Sequence, residues 1–200
     1  MKILVIGGTG TIGQKIVSHF SSDNEVIAAG RTQKDFPVDI GKSASIHKLF
    51  IKLGKIDAII CAAGEAMWGG FNELLEEDYY IGIKSKLMGQ VNLVRIGKNH
   101  LNPNGSITLT TGILADDPVV QTASAAMVNG GIHSFVQAAA LELENGIRLN
   151  AVSTGVVEDA YKKYQNYFPG HIPIPMNKML RGYVRSVEGK VNGQIIRIYD

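Results

Sequence analysis

The 200-residue chain holds a single cysteine, Cys61, which excludes an intrachain disulfide and any cysteine-rich metal centre. It lacks an excess of either charge. Twenty Lys+Arg stand against 18 Asp+Glu, a net charge of +2, so no basic field for nucleic acid is expected. No apolar run approaches the ~20 residues that span a bilayer, and no leader is expected ahead of the apolar run that begins at Lys2. Prolines number six, too few for a low-complexity linker. What remains is a cytoplasmic globular protein with neither membrane nor nucleic acid as a partner. At 45% hydrophobic and 19% charged residues, the chain suits one domain over residues 1–200, with a core that needs no covalent staple.

Glycine, by contrast, is plentiful, at 23 residues. It is concentrated where it carries meaning: Gly7, Gly8, Gly10 and Gly13 follow the apolar run Lys2–Ile6 and precede Ile12, Ile16, Val17 and Phe20 at helical spacing. Both G-x-G-x-x-G and G-x-x-G-x-x-G fit. Such glycines let the chain turn out of a strand, let backbone approach a pyrophosphate and let a helix pack on the sheet. The N–H groups of the first helical turn, at Thr11 and Ile12, then face the phosphates. An ordinary glycine-rich turn has the same composition, but the strand–helix context favours a dinucleotide site.

A second strand, Glu25–Ala29, ends at Gly30-Arg31-Thr32, where such folds meet the adenosine ribose. An acidic residue here accepts from a 2′-OH. Arg31 and Thr32 instead suit a 2′-phosphate, which favours NADP(H) over NAD(H). A solvated surface arginine is the other reading. Val38–Ile40 is expected as a short third strand, with Asp39 either meeting an adenine amino group or closing a turn. Ser43 is expected to cap a helix that stops at Gly54. Asp57–Cys61 forms a fourth strand, whose small followers Ala62, Ala63 and Gly64 leave room for a cofactor ribose. Trp68 lies near the cofactor or caps the core.

Two long helices are expected, about Glu76–Lys98 and Thr122–Glu144, separated by a fifth strand, Ser106–Thr111. Ile147–Val152 and Gln194–Tyr199 are further strands, and Met176–Val187 is helical. Between them, residues 158–175 carry Tyr161, Tyr164, Tyr167, Phe168 and three prolines, as a mobile aromatic cover or as a packed surface segment. Strand–helix alternation throughout predicts an α/β, Rossmann-type, doubly wound parallel sheet of about seven strands with helices on both faces.

The chain resembles the short-chain dehydrogenase/reductase family over nearly its whole length. The resemblance rests on the Gly7–Gly13 loop, Asp39, Cys61-Ala62-Ala63-Gly64, Leu87-Met88-Gly89 and Gly105-Ser106-Ile107. It continues through Ala140–Leu143, Ile147–Asn150, Ser153-Thr154-Gly155 and Asn192-Gly193-Gln194. It implies strand order 3-2-1-4-5-6-7, hydride transfer between a nicotinamide and a small carbonyl or alcohol substrate, and cofactor contacts at Thr154, Gly155 and Val156. It also implies a homodimer or homotetramer built on the two long helices.

Departures from the family pattern fall at the reacting centre. Cys61 replaces an Asn, Lys86 stands where the family has Asn before Leu-x-Gly, and Thr154 replaces a Pro. The family's catalytic Ser corresponds to Thr111, with Thr110 one residue away. Its Tyr-x-x-x-Lys falls on Ala125 through Asn129, so both members of the pair are missing. In the family the tyrosine protonates the carbonyl oxygen, and Ala125 has no proton to give; losing a positioned acid costs ~10²–10⁴ in rate. Amide and ammonium look exchanged between Asn129 and Lys86. The catalytic candidates are therefore Lys86, alone or through water held with Thr111, as the group that polarises or protonates the carbonyl, and Asn129 as a ribose ligand. Two functions follow: an atypical NADP(H)-dependent oxidoreductase, or a non-catalytic NADP(H)-binding redox sensor. His133, one turn beyond Asn129, and Tyr79 read more simply as packing residues.

Overall fold

Ile3, Leu4, Val5 and Ile6 are at most 1% exposed, as a strand covered on both faces requires. Side chains alternate across the pleat, so Ile3 and Val5 join one apolar cluster while Leu4 and Ile6 join the other. In the computed structural model, which describes residues 1–199, that strand (β1, Lys2–Ile6) is flanked by β2 (Glu25–Ala29) and β3 (Ile56–Cys61). Beyond β3 follow β4 (Leu101–Gly112), β5 (Arg148–Thr154) and β6 (Ile195–Ile198). Among the described residues the sheet has six strands, all parallel, in the order β2-β1-β3-β4-β5-β6. This is the Rossmann-type, doubly wound α/β architecture.

Six strands rather than about seven form because Val38–Ile40 does not pair as a strand. A single bridge joins Gly30 to Pro37. Pro37 has no N–H to donate, and the Asp39 N–H is taken by the Ser45 hydroxyl at 3.0 Å. Val38 and Ile40 are nevertheless buried in the core. At the other end of the prediction, β4 starts earlier than Ser106. The Asn102-Pro103-Asn104-Gly105 turn is absorbed as an irregularity in which the pairing jumps from Ile56–Leu101 to Ala58–Ser106.

Helices cover both faces. One face carries α2 (Ser43–Leu53), α4 (Met88–Gly97) and α5 (Ala123–Ala139), whose apolar positions Phe50, Leu93 and Ile132 are fully buried. The other carries α1 (Thr11–Phe20) and α7 (Met176–Val187). Short helices α3 (Glu76–Gly82) and α6 (Glu158–Tyr164) lie nearer the strand ends. The first residue of α2 is Ser43 rather than its cap; Lys42 takes the cap position and, having no side-chain acceptor, leaves the first turn without a side-chain cap. The expected helix Glu76–Lys98 is not uniform: α3 passes into α4 through a π-helical turn, Ile83–Leu87. The expected helix to Glu144 ends at Ala139, ahead of a turn where Asn145 and Gly146 take φ of 56° and 71°. No helix among the described residues is long and apolar enough to cross a membrane.

Helix α7 is fixed to the sheet by polar pairs as well as by packing. Thr108 shares a hydrogen bond with Ser186 at 2.7 Å, Thr110 with Tyr183 at 2.9 Å, and Arg148 donates to the carbonyls of Ser186 and Val187 at the helix end. These satisfy groups that would otherwise be buried without partners.

Asp57 performs a similar task at the amino ends of the strands. Its carboxylate accepts from the Asn102 amide and the Lys2 N–H, both at 2.7 Å, clamping β4 and β1 to β3. The Asn102 bond, then the Lys2 bond, hold its pKa below the ordinary 3.8. Asp57→Ala is expected to lower stability in urea denaturation by about 1–2 kcal/mol at neutral pH. A carboxyl with a depressed native pKa stabilises above its unfolded pKa and loses that contribution as pH falls through the native one. The gap between variant and wild type should therefore narrow as pH falls below 3.8 and close beneath the lower native pKa.

Candidate functional site

Parallel strands end on the same edge, and ligands of open α/β sheets bind in the crevice outside that edge. Here the crevice is a chain of three cavities. The first, about 280 Å³, is lined by Gly7, Gly10, Arg31, Thr32, Asp39 and the Ala62-Ala63-Gly64 backbone. The second, about 390 Å³, is lined by Lys86, Thr111, Ala125 and Asn129. It meets the first at Gly64 and Glu65. The third, about 190 Å³, is bordered by Ile12, Thr154, Gly155 and Val156 and joins the second at Trp68, Gly112, Leu114 and Tyr164. Of the residues expected at the site, Gly8, Thr11 and Gly13 line none of the three. Gly8 and Gly13 are buried in the packing of the loop, and Thr11 is exposed on the first turn of α1.

The loop geometry explains its composition. A Cβ on Gly13 would lie 2.0 Å from the Gly7 carbonyl oxygen, so only glycine lets α1 begin this close to the strand it follows. No acidic residue occupies the first turn of α1, which leaves the positive end of its dipole free for an anion.

At the Arg31 end of the crevice, the charged side chains have partners within the chain. Arg31 donates to Glu65 in an exposed ion pair, and Glu65 itself borders the cavity. Glu65 escaped notice because it lies outside every motif. Asp39 closes a turn, with its Oδ1 accepting from the Gly41 N–H at 3.0 Å and its Oδ2 3.5 Å from Lys42 Nζ, although it also borders the cavity.

Strand alternation separates the two threonines at the end of β4. Thr110 faces α7 and bonds Tyr183, while Thr111 borders the second cavity and shares a 2.8 Å hydrogen bond with His133 Nε2. Lys86 sits in the π-helical turn, a local widening that often marks functional sites. Its ammonium makes no hydrogen bond or ion pair to another described residue. Desolvation lowers its pKa, opposed only by the nearby Cys61, whose thiol burial pushes up to about 11. Gln90 ties the strand ends together, donating to the carbonyls of Ala63 and Thr110 at 3.2 and 3.1 Å.

Four buried polar atoms, Gln90 Oε1, Ser124 Oγ, Asn129 Oδ1 and Thr154 Oγ1, have no partner among the described residues. Asn129 borders the second cavity and Thr154 the third. A buried polar group without a partner costs about 1–3 kcal/mol, and the hydroxyls and carboxamide of a nicotinamide riboside are suited to satisfy both. The residues therefore fit a nicotinamide dinucleotide. Trp68 is not a distant core residue: its ring centroid is 5.4 Å from those of Tyr164 and Tyr167 and 6.4 Å from that of Phe168. Residues 158–175 thus supply a packed aromatic wall to the second and third cavities.

His133, set aside as packing from the sequence, is 8% exposed and directly bonded to a candidate catalytic residue. Its spacing of one turn from Asn129 was the available signal.

Gly64 holds φ +117°, and a Cβ there would lie 2.8–2.9 Å from Lys86 Cα, Cβ and Cγ. Gly64→Ala is expected to cost about 2–4 kcal/mol in urea unfolding. A control at Gly54, φ +68° but with open space around it, should cost less.

Comparison with known proteins gives consistent matches. A family model described as Enoyl-(Acyl carrier protein) reductase matches residues 16–173. A short-chain dehydrogenase/reductase of Pestalotiopsis microspora is 26% identical over 177 residues, 80% of this chain and 67% of that protein. Among solved structures, the protein lin1944 from Listeria innocua is 44% identical with a TM-score of 0.97, covering 100% of both chains. A small-chain dehydrogenase in complex with NADPH is 26% identical with a TM-score of 0.88, over 100% of this chain and 96% of that one.

Proposed function

The chain belongs to the short-chain dehydrogenase/reductase family, and from that premise we propose that it is an NADP(H)-dependent oxidoreductase of atypical type, acting in the cytoplasm on a small carbonyl or alcohol. The observation that carries this reading is that Lys86, Thr111 and Asn129 border one cavity continuous with the glycine-loop cavity. NADPH in the complex of a 26% identical relative supports the choice of cofactor.

In this reading Gly7, Gly10 and the start of α1 hold the pyrophosphate, while Arg31 and Thr32 hold the 2′-phosphate, Arg31 exchanging Glu65 for it. Asn129 and Thr154 satisfy their orphaned oxygens on the nicotinamide riboside. NADP(H), when bound, supplies or accepts the hydride. Lys86 polarises the substrate oxygen, directly or through water shared with Thr111. The third cavity, walled by Trp68, Ile113, Leu114 and Phe168, suits an apolar substrate body. Exposed Tyr80, Ile81, Met88 and Met127 on the helices expected at an interface favour a homodimer or homotetramer.

Ala125 is the observation that favours a second reading, a non-catalytic NADP(H)-binding redox sensor, since its methyl group borders the cavity where the family has its acid. A turnover screen of aldehydes, ketones and quinones with NADPH separates the two; an inactive protein that binds NADPH tightly supports the sensor.

Two outcomes are expected. Titration of NADPH against Trp68 emission should show tighter binding than NADH, and Arg31→Ala should weaken NADPH about tenfold, roughly 1.4 kcal/mol, with NADH little changed. Lys86→Met should cut kcat at least about 10²-fold while leaving NADPH affinity in place; unchanged turnover removes Lys86 from the mechanism.

A further inference from the structure

The carboxyl edge of the sheet carries a polar row that the family's usual chemistry does not use. Register aligns Thr111 with Ser153 on β5, and Ser153 with Arg197 on β6. His133 on α5 meets Thr111 at 2.8 Å. Asp116, in the turn after β4, takes two hydrogen bonds from Arg197 at 2.9 and 3.0 Å and one from the Tyr199 phenol, which in turn bonds Ser153 at 2.8 Å. The cavity hydroxyl is thus backed by an imidazole, and the imidazole by a charged pair reaching solvent.

We propose that Thr111 and His133 form the proton-handling couple of this site, His133 acting through Thr111 in place of the absent tyrosine. This rests on the oxidoreductase reading above. In alcohol oxidation the substrate O–H proton passes to Thr111 Oγ1 as the Thr111 proton passes to His133 Nε2. Bound NADP⁺ would accept the C–H electron pair as hydride, leaving the carbonyl. His133 ends as imidazolium, attracted by Asp116 and opposed by Arg197. Reduction runs the same transfers backwards and starts from imidazolium. The arrangement is that of a hydroxyl activated by an adjacent base.

The groups acting on His133 set the pH dependence. Burial and Arg197 on β6 disfavour its charge, Asp116 favours it, and burial dominates, so its pKa lies below the ordinary 6.5. Tyr199, held up at about 12, stays neutral. The base form therefore prevails at neutral pH. Oxidation should fall as pH drops through the His133 pKa, and reduction should fall as pH rises through it.

The test uses the full-length protein with NADP⁺ and a panel of apolar secondary alcohols from cyclohexanol to 1-phenylethanol. His133→Gln should lower kcat about 10²-fold and erase the acidic limb of the profile, with NADPH still bound. Thr111→Val should do the same, and the double variant should lose no more than either single one, as residues acting as a unit do. If His133→Gln does not fold, Thr111→Val decides alone. An independent readout needs no turnover: imidazole NMR of the cofactor-free protein should show His133 titrating below 6.5, with Thr111→Val changing its shift and pKa. An active wild type whose acidic limb survives in either variant overturns the couple alone, as does a His133 titration indifferent to Thr111→Val. A wild type that binds NADPH but oxidises none of the panel overturns the oxidoreductase reading and the couple with it.

Discussion

Six parallel strands that end together on one edge are the constraint on which the rest of the structure depends. Each strand is followed by a connection that must leave from that edge. Residues far apart in the chain, Gly7, Gly64, Thr111 and Thr154, therefore converge there without any contact designed between them. The pleat then sorts neighbours. Thr110 is committed to Tyr183 and the packing of α7, and Thr111 is left to the cavity. Even the polar row of Thr111, Ser153 and Arg197 follows from register alone.

The second cavity gathers side chains of unlike polarity: the methyl of Ala125, the amide of Asn129 and the Thr111 hydroxyl. The ammonium of Lys86 comes from the neighbouring helix, in a π-helical turn against Gly64. Burial there disfavours both the charged amine and the Cys61 thiolate. Behind Thr111, the imidazole of His133 is likewise discouraged from charge, with Asp116 favouring and Arg197 opposing it. Titratable groups shifted by burial thus cluster around this cavity, as they do at many functional sites. Asn129 and Thr154 each border a cavity of this edge with an oxygen that no described residue satisfies.

The sequence by itself determined the fold class, because apolar runs, helical spacing and turn glycines are local signals and the alternation of strand and helix admits few topologies. It also made the glycine loop and Arg31 legible, each as a residue type at a fixed spacing. Its errors were local competitions. Val38–Ile40 looked like a strand, but beyond Val38, whose N–H reaches the Gly30 carbonyl, the Asp39 N–H turns to the Ser45 hydroxyl, and Glu76–Lys98 looked like one α-helix although it widens at Lys86.

Only the tertiary structure decided which side chains meet. Glu65 reaches Arg31 from another strand's loop, and His133 reaches Thr111 across the gap between α5 and β4. Neither pairing leaves a trace in spacing, because the partners are brought together by sheet register and helix packing. The same holds for the aromatic wall, where Trp68 and Tyr164 are nearly a hundred residues apart and one ring's breadth away. Local chemistry chose the elements. Long-range packing, with its demand that buried polar groups find partners, chose the site.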